Sequence, residues 1–252
     1  MAGAADERSR TGATASSGSG VRRRGSAVRG CFVTGTDTGV GKTVVAAAIA
    51  AALRARGERV AAFKPVLTGT DEPPGPDWPA DDVLLAAAAG MQPEDVAPLR
   101  FGPPVSPHLA ASLAGRTLDP AALVASFART TADAEAVVVE GVGGLLVPLR
   151  QDYLVRDFAC ALALPLVIAA RPGLGTINHT LLTIEAARSA GLHVAGVVIT
   201  PWPDAPSAME ADNHATIARL GDVDVATLPP LPRADPDLLA QAGAQLPLDR
   251  WL

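Results

Sequence analysis

The chain has 252 residues, enough for one large domain or two small ones. Its formal charge of −5, with 48 % hydrophobic and only 4 % aromatic residues, lacks the basic excess of a nucleic-acid-binding protein. No apolar run reaches about 18 residues without Gly, Pro or a charge, which argues against a membrane-spanning helix. Two cysteines, Cys31 and Cys160, are too few for a disulfide framework. Both lie in apolar contexts and are expected as buried, reduced thiols.

Residues 1–29 are rich in Gly, Ser, Ala and Arg and have no apolar stretch of the kind a secretory signal carries. They are expected as a disordered tail that includes Arg22, Arg23 and Arg24, ahead of a single domain over 30–252. A cytoplasmic location is the corresponding expectation.

The first strand is expected at Cys31–Thr34, followed by a glycine-rich loop and a helix over 41–56 that stops at Gly57. Val60–Phe63 reads as the next strand. The segment 71–80, DEPPGPDWPA, is too Pro-rich for a regular element. Asp81 opens a helix through Ala89, and 106–115 and 120–131 read as two more. Val137–Val139 is a strand that runs into Glu140-Gly141-Val142-Gly143-Gly144, read as a flexible loop. Strands at Leu166–Ala170, Val194–Ile199 and Val225–Leu228 alternate with helices over about 176–190 and 207–220. The strands are continuously apolar rather than alternating, which implies burial on both faces, as in a parallel sheet. With helices between them, the expected class is α/β with one mostly parallel central sheet. No internal repeat is present.

Residues 33–43 read VTGTDTGVGKT. The segment has the parts of a phosphate-binding loop, but Gly35 and Gly41 bracket five residues where the common pattern has four. Its context is a strand before and a helix after, so backbone amides at the helix start can cradle anionic oxygens. Lys42 adds a positive charge, and Thr43 supplies a hydroxyl of the kind that ligates Mg²⁺. The loop names a nucleoside triphosphate, not a reaction.

Three further segments narrow it. Lys64 stands at the end of the second strand in AFKPVLTG, where a lysine after a buried run needs an anion, and Thr68 offers a hydroxyl nearby. Glu140 follows VVV, where an acidic residue reaches the nucleotide's metal. Of Asp81 and Asp82, one caps a helix and the other completes the metal shell; we assign Asp82 to the metal. In PGLGTINHT, residues 172–180, Gly173 and Gly175 open a helix start able to take a carboxylate, while Asn178 and His179 also read as ordinary helix residues. The four histidines show no zinc spacing.

The blocks FVTGTDTGVGKT (32–43), FKPVLTG (63–69), SPH (106–108), VVEGVGGLLVPL (138–149) and PGLGTINHTLLT (172–183) together resemble the dethiobiotin synthetase family, in family order across the chain after residue 30. The five-residue loop spacing is part of that resemblance. It implies a homodimer with a three-layer P-loop NTPase fold that joins 7,8-diaminopelargonate and CO₂ with MgATP. By resemblance, Gly39, Val40, Gly41, Lys42, Thr43, Val44, Glu140 and Gly143 bind the nucleotide, and Thr43, Asp82 and Glu140 surround Mg²⁺. Lys42, Lys64 and Thr38 serve the reaction, with Thr38, Lys64 and Thr68 on the substrate and Asp37 orienting Lys64. Gly175, Thr176, Ile177 and Asn178 take the substrate carboxylate across the dimer interface. The family often reads the base with an asparagine after the strand AGVVI; this chain has Thr200 there, which lacks the paired donor and acceptor of an amide. Thr200, Pro229 and Leu231 are then expected beside the base, with weakened selectivity.

Two alternatives share the loop. An ATP-dependent amidase of corrin synthesis calls for a glutamine-handling domain with a cysteine nucleophile, and neither cysteine sits in such an extension. A partitioning ATPase carries a second loop lysine where this chain has Asp37, and a basic surface for DNA.

Overall fold

The structure is a computed structural model and describes residues 29–75 and 78–252. The tail expected over 1–29 lies outside the described residues except for Arg29, which opens the first strand. In chain order, β1 (Arg29–Gly35), α1 (Lys42–Ala55), β2 (Val60–Phe63) and β3 (Leu67–Thr68) come first. Next are α2 (Asp81–Ala89), α3 (Pro93–Val96), β4 (Arg100–Phe101), α4 (Pro107–Leu113) and α5 (Pro120–Thr130). After β5 (Ala136–Gly144) follow β6 (Pro148–Arg150), β7 (Tyr153–Leu154), α6 (Val155–Leu162) and β8 (Leu166–Ala170). The chain continues through α7 (Thr176–Ser189), β9 (Val194–Ile199), α8 (Ala208–Gly221), β10 (Val225–Thr227), α9 (Pro236–Gly243) and α10 (Leu248–Trp251).

Six strands form one parallel sheet in the order β10-β9-β8-β1-β5-β2. As their unbroken apolar runs require, both faces are covered. Cys31, Val33, Val138 and Val167 point into a core shared with α1, α2, α9 and α10. Their neighbours Phe32, Val139 and Ile168 point into a second core under α4 to α8. The result is a three-layer α/β fold with a mostly parallel sheet. β1 sits mid-sheet: the chain first crosses to β2 on one side and later to β8 on the other. That reversal leaves a crevice beyond the carboxyl ends of the strands.

Small residues let the layers approach closely. Seven alanines in α1 allow α9 to lie along it. A Cβ on Gly243 would come 2.0 Å from Ala48 O. Helix starts follow their side chains: Ser207 and Glu210 form a reciprocal capping box on α8, and Asp119 and Asp235 cap α5 and α9.

Two expectations are corrected. The glycine run after Val139 is not a loop: β5 continues through Gly144, pairing beside β1 with Gly35 opposite Gly144 after an irregular step. The irregular step falls on glycine: Gly143 has φ 63°, a left-handed conformation that glycine adopts without strain, and pairing resumes at Gly144. Cys160 is exposed, not buried. It lies on α6, whose buried stripe is Val155, Phe158 and Ala159, and falls on the other face of that helix. Among the described residues no helix is long and apolar enough to cross a membrane.

Burial pushes the Cys31 thiol up to about 12, so its nucleophilic thiolate is scarce at neutral pH. A thiol reagent at pH 7.5 should label Cys160 in the folded chain and Cys31 only after unfolding, as mass spectrometry of the labelled peptides will read. Gly243→Ala should destabilise the fold by about 1–3 kcal/mol, because α1 and α9 must part, and urea unfolding measures the loss.

Candidate functional site

A cavity of about 660 Å³ opens in this crevice, walled by the loop before α1, the segment after β2, the starts of α2 and α4, and the end of β5. Backbone geometry shapes the loop. Gly41 has φ 87°, and a Cβ there would meet the Thr200 methyl at 2.6 Å, so the helix start closes against the end of β9. Val40 is buried and pins the loop into the core beneath α1. Lys42 opens α1, and its Nζ donates to Asp37 O at 2.8 Å across its own loop.

Strand register brings the other charged groups together. Phe63 pairs with Val139 across β2 and β5, so the next residues, Lys64 and Glu140, fall side by side. Since Val138 points toward α1 and Val139 away from it, alternation turns Glu140 toward the start of α1. Lys64 Nζ then lies 2.8 Å from Glu140 Oε1, and Thr43 Oγ1 donates to the same oxygen at 3.0 Å. The Lys64 amide leaves the sheet and donates to Val96 O at 2.9 Å, which fixes the backbone beneath the ammonium. Asp81, first residue of α2, completes the cluster with a hydrogen bond from Lys64 Nζ.

Lys64, Glu140 and Lys42 are all nearly enclosed. Burial works to lower Lys64, but the charges of Glu140 and Asp81 outweigh it and leave the ammonium raised above its ordinary value. Burial raises Glu140, and the neighbouring Asp81 charge adds to that, against the pull of Lys64. Burial would also raise Asp81, yet Lys64 and a hydrogen bond with Thr43 hold it below the usual carboxylate range. Burial lowers Lys42, against the charges of Glu140 and Asp81.

The structure brings Thr38, Gly39, Gly41, Lys42, Thr43, Val44, Lys64, Thr68, Glu140 and Gly143 to this one cavity. It turns Asp82 away. The Asp82 carboxylate is buried as an ion pair with Arg100 of β4, in close approach but without hydrogen-bond angles, and Asp81 faces Thr43 and Glu140 instead. Consecutive helical residues differ by about 100° in direction, so the helix start admits one of the pair to the cavity. Asp37 does not orient Lys64 either: its carboxylate accepts from Thr38 N at 2.7 Å and lies 3.5 Å from Arg171 Nη2.

Gly175, Thr176, Ile177 and Asn178, at the start of α7, do not line this chain's cavity; Gly175 and Asn178 are exposed beside Leu174, which is 93 % exposed. Thr200 is buried against Gly41, while Pro229 and Leu231 are partly buried in the segment after β10. Residues that sequence reasoning passed over also line the cavity: Glu72, Trp78, Val105, Ser106, Val142 and Val147. Signals existed for some of them, since Ser106 lies in SPH and Val142 beside Gly143. Glu72 and Trp78 sit in or next to the Pro-rich stretch, where no periodicity points.

Among the described residues there is no group of three or more His, Cys, Asp or Glu fit to hold a metal. A nucleotide-bound Mg²⁺ does not need one, because it keeps waters and phosphate oxygens and takes only one or two carboxylates. Glu140 Oε2 is buried without a hydrogen-bond partner, beside Thr43 and Asp81. This all-oxygen donor set suits a hard divalent cation.

A protein-family profile described as an AAA domain matches residues 29–237. The ATP-dependent dethiobiotin synthetase BioD of Bacillus subtilis (strain 168) is 40 % identical over 203 residues, covering 81 % of this chain and 87 % of that protein. BioD of Anaeromyxobacter dehalogenans (strain 2CP-1) is 47 % identical over 197 residues, covering 77 % and 86 %. Among solved structures, the septum site-determining protein MinD of Pyrococcus horikoshii OT3, complexed with Mg-ADP, aligns with a TM-score of 0.55 at 18 % identity, covering 86 % of this chain and 93 % of that one. A ParA family ATPase of Chlorobium tepidum TLS aligns with a TM-score of 0.53 at 12 % identity, covering 87 % and 92 %. These two likenesses concern the fold alone, a P-loop NTPase architecture. With relatives at this identity spanning most of both chains, the protein belongs to the ATP-dependent dethiobiotin synthetases, a family of ligases.

Proposed function

We propose that this chain converts 7,8-diaminopelargonate, CO₂ and ATP into dethiobiotin, ADP and phosphate, by way of a carbamate and a carbamic-phosphoric anhydride. One observation carries the reading: a buried ammonium, Lys64, lies 2.8 Å from Glu140 in the same cavity as the phosphate loop and Thr43. That cavity continues to apolar walls at Val105, Val142 and Val147, suited to an aliphatic chain.

The substrate amine takes up CO₂ to give a carbamate anion. Lys64 holds that anion, with Thr68 and Thr38 beside it. The amides of Gly39, Val40, Gly41 and Val44, with Lys42, cradle the triphosphate. Thr43, Asp81 and Glu140 would hold Mg²⁺, which when bound neutralises phosphate charge. The carbamate oxygen attacks the γ-phosphoryl group, so no nucleophilic side chain is needed. Alignment and charge neutralisation carry the step. The second amine then attacks the carbamoyl carbon and expels phosphate. We further propose a homodimer in which Gly175 to Asn178 of a second copy take the substrate carboxylate; their absence from the lining of this chain's own cavity and the exposed Leu174 support it. Thr200 in place of an amide side chain supports loose recognition of the base.

Purified protein given diaminopelargonate, bicarbonate, Mg²⁺ and ATP should release ADP only with the diamine present and form a cyclic urea, followed by coupled assay and mass spectrometry. ADP release indifferent to the diamine would contradict the reading. Lys64→Gln should lower turnover about 100-fold or more while nucleotide affinity moves by less than about threefold. Asp81→Asn should raise the Mg²⁺ concentration for half-maximal activity by about tenfold or more. Asp82→Asn should leave that Mg²⁺ requirement in place and cost about 1–3 kcal/mol of stability, discounted because Arg100 is over a third exposed. In a panel of ATP, GTP, CTP and UTP, KM values should fall within about tenfold of one another, since no side-chain amide reads the base.

A further inference from the structure

Ring closure leaves a proton to be placed. As the second amine attacks, its nitrogen becomes cationic and must lose a proton as the C–N bond forms and phosphate departs with the electrons of the C–O bond. Most oxygens of the cluster are committed. Glu140 Oε1 and Asp81 are engaged by Lys64 and Thr43.

Ser106 lines the same cavity and has a different neighbour. Its Oγ lies 3.0 Å from His108 Nδ1. The pairing is unusual for its place in the chain. Ser106 is the N-cap of α4 but makes no side-chain capping bond, whereas Ser207, at the same position on α8, caps with Glu210. Its hydroxyl therefore gives up a capping bond to the helix and takes an imidazole instead. Pro107, at the first helical position, has its φ fixed near the helical value and leads directly into His108. His108 is only partly buried, which leaves its other nitrogen a path to water.

We propose that Ser106 is a catalytic residue of ring closure, taking the amine proton on Oγ while its own proton passes to His108 Nδ1. With the resting proton on Nε2, Nδ1 accepts from the serine hydroxyl. The imidazolium so formed gives up one proton to water, and exchange with solvent returns the neutral ring to its Nε2–H tautomer, which restores the pair and balances the step. Ser106 touches the substrate; His108 acts through it. The assignment rests on the reaction proposed above and concerns only its second half.

Rapid-quench single turnovers separate the halves, because ADP reports phosphorylation of the carbamate and dethiobiotin reports closure. In the wild type both should appear in the presence of the diamine. In Ser106→Ala, ADP should form within about threefold of the wild-type rate while closure slows about 100-fold, the size of a typical proton-transfer contribution. Ser106→Thr, which keeps the hydroxyl, should recover most of that loss. His108→Asn keeps a nitrogen or oxygen near the Nδ1 position but cannot be recharged with a proton, and should also slow closure selectively. The proposal is overturned if both steps fall together in Ser106→Ala, if closure is untouched there, or if His108→Asn closes at the wild-type rate. A selective closure defect in Glu72→Gln in place of Ser106→Ala would overturn it as well. Wild-type ADP release that ignores the diamine would instead remove the underlying reaction, and this inference with it.

Discussion

The ammonium of Lys64, buried between Glu140 and Asp81, is the contact on which the rest of the site depends. A lysine taken out of water is costly unless it meets opposite charge in good geometry. Here two carboxylates meet it, and one of them also accepts from Thr43. Removing a single partner would strand a charge in the protein interior, so the cluster survives only as a set. It also ties four elements together: the residue after β2, the middle of β5, and the first turns of α1 and α2.

Strand register makes the cluster possible. In a parallel sheet, neighbouring strands stay in step, so the pairing of Phe63 with Val139 forces Lys64 next to Glu140 without help from any loop. The same two-residue alternation that sends Val138 toward α1 sends Glu140 there too. The apolar runs thus do two jobs. They cover both faces of the sheet, and they set the phase in which the polar residues at the strand ends emerge. A slip of one residue in β5 would turn Glu140 to the layer opposite α1 and empty the site.

This explains what the sequence made legible. Strands β1, β2, β8 and β9 were readable because their apolar runs are bounded by turn residues, and α1, α7 and α8 because caps and glycines mark their ends. Lys42, Thr43, Lys64 and Glu140 were readable because each stands at a boundary where a charge or hydroxyl interrupts a buried run. The choice between Asp81 and Asp82 was not readable. Both are acidic and adjacent, and Arg100, which draws Asp82 away, lies eighteen positions along the chain on a two-residue strand that carries no periodicity. The glycine run of β5 misled for a related reason: glycine has no strand preference, and the strand is carried past the irregular step at Gly143 by renewed pairing of Gly144 with Gly35 of β1. Cys160 misled because its apolar neighbours belong to one face of α6 and it belongs to the other.

The two lysines of the cavity differ in what a triphosphate must displace. Lys64 is held by full charges and lies above its ordinary protonation range. Lys42 is held by the neutral carbonyl of Asp37 at 2.8 Å, in an environment that lowers it. Both ammonium bonds are charge-assisted, but Lys42 has a neutral acceptor, whereas Lys64 adds direct attraction to two carboxylates in a buried setting. An incoming phosphate oxygen therefore wins Lys42 from its own loop at small cost, and the negative charge it brings offsets the desolvation that burial imposes on that ammonium. Capture by Lys64 is harder, because any anion it accepts must compete with Glu140 and Asp81. In the reaction proposed above, that order of strength suits Lys42 to the triphosphate and Lys64 to an anion that arrives when those carboxylates have other partners.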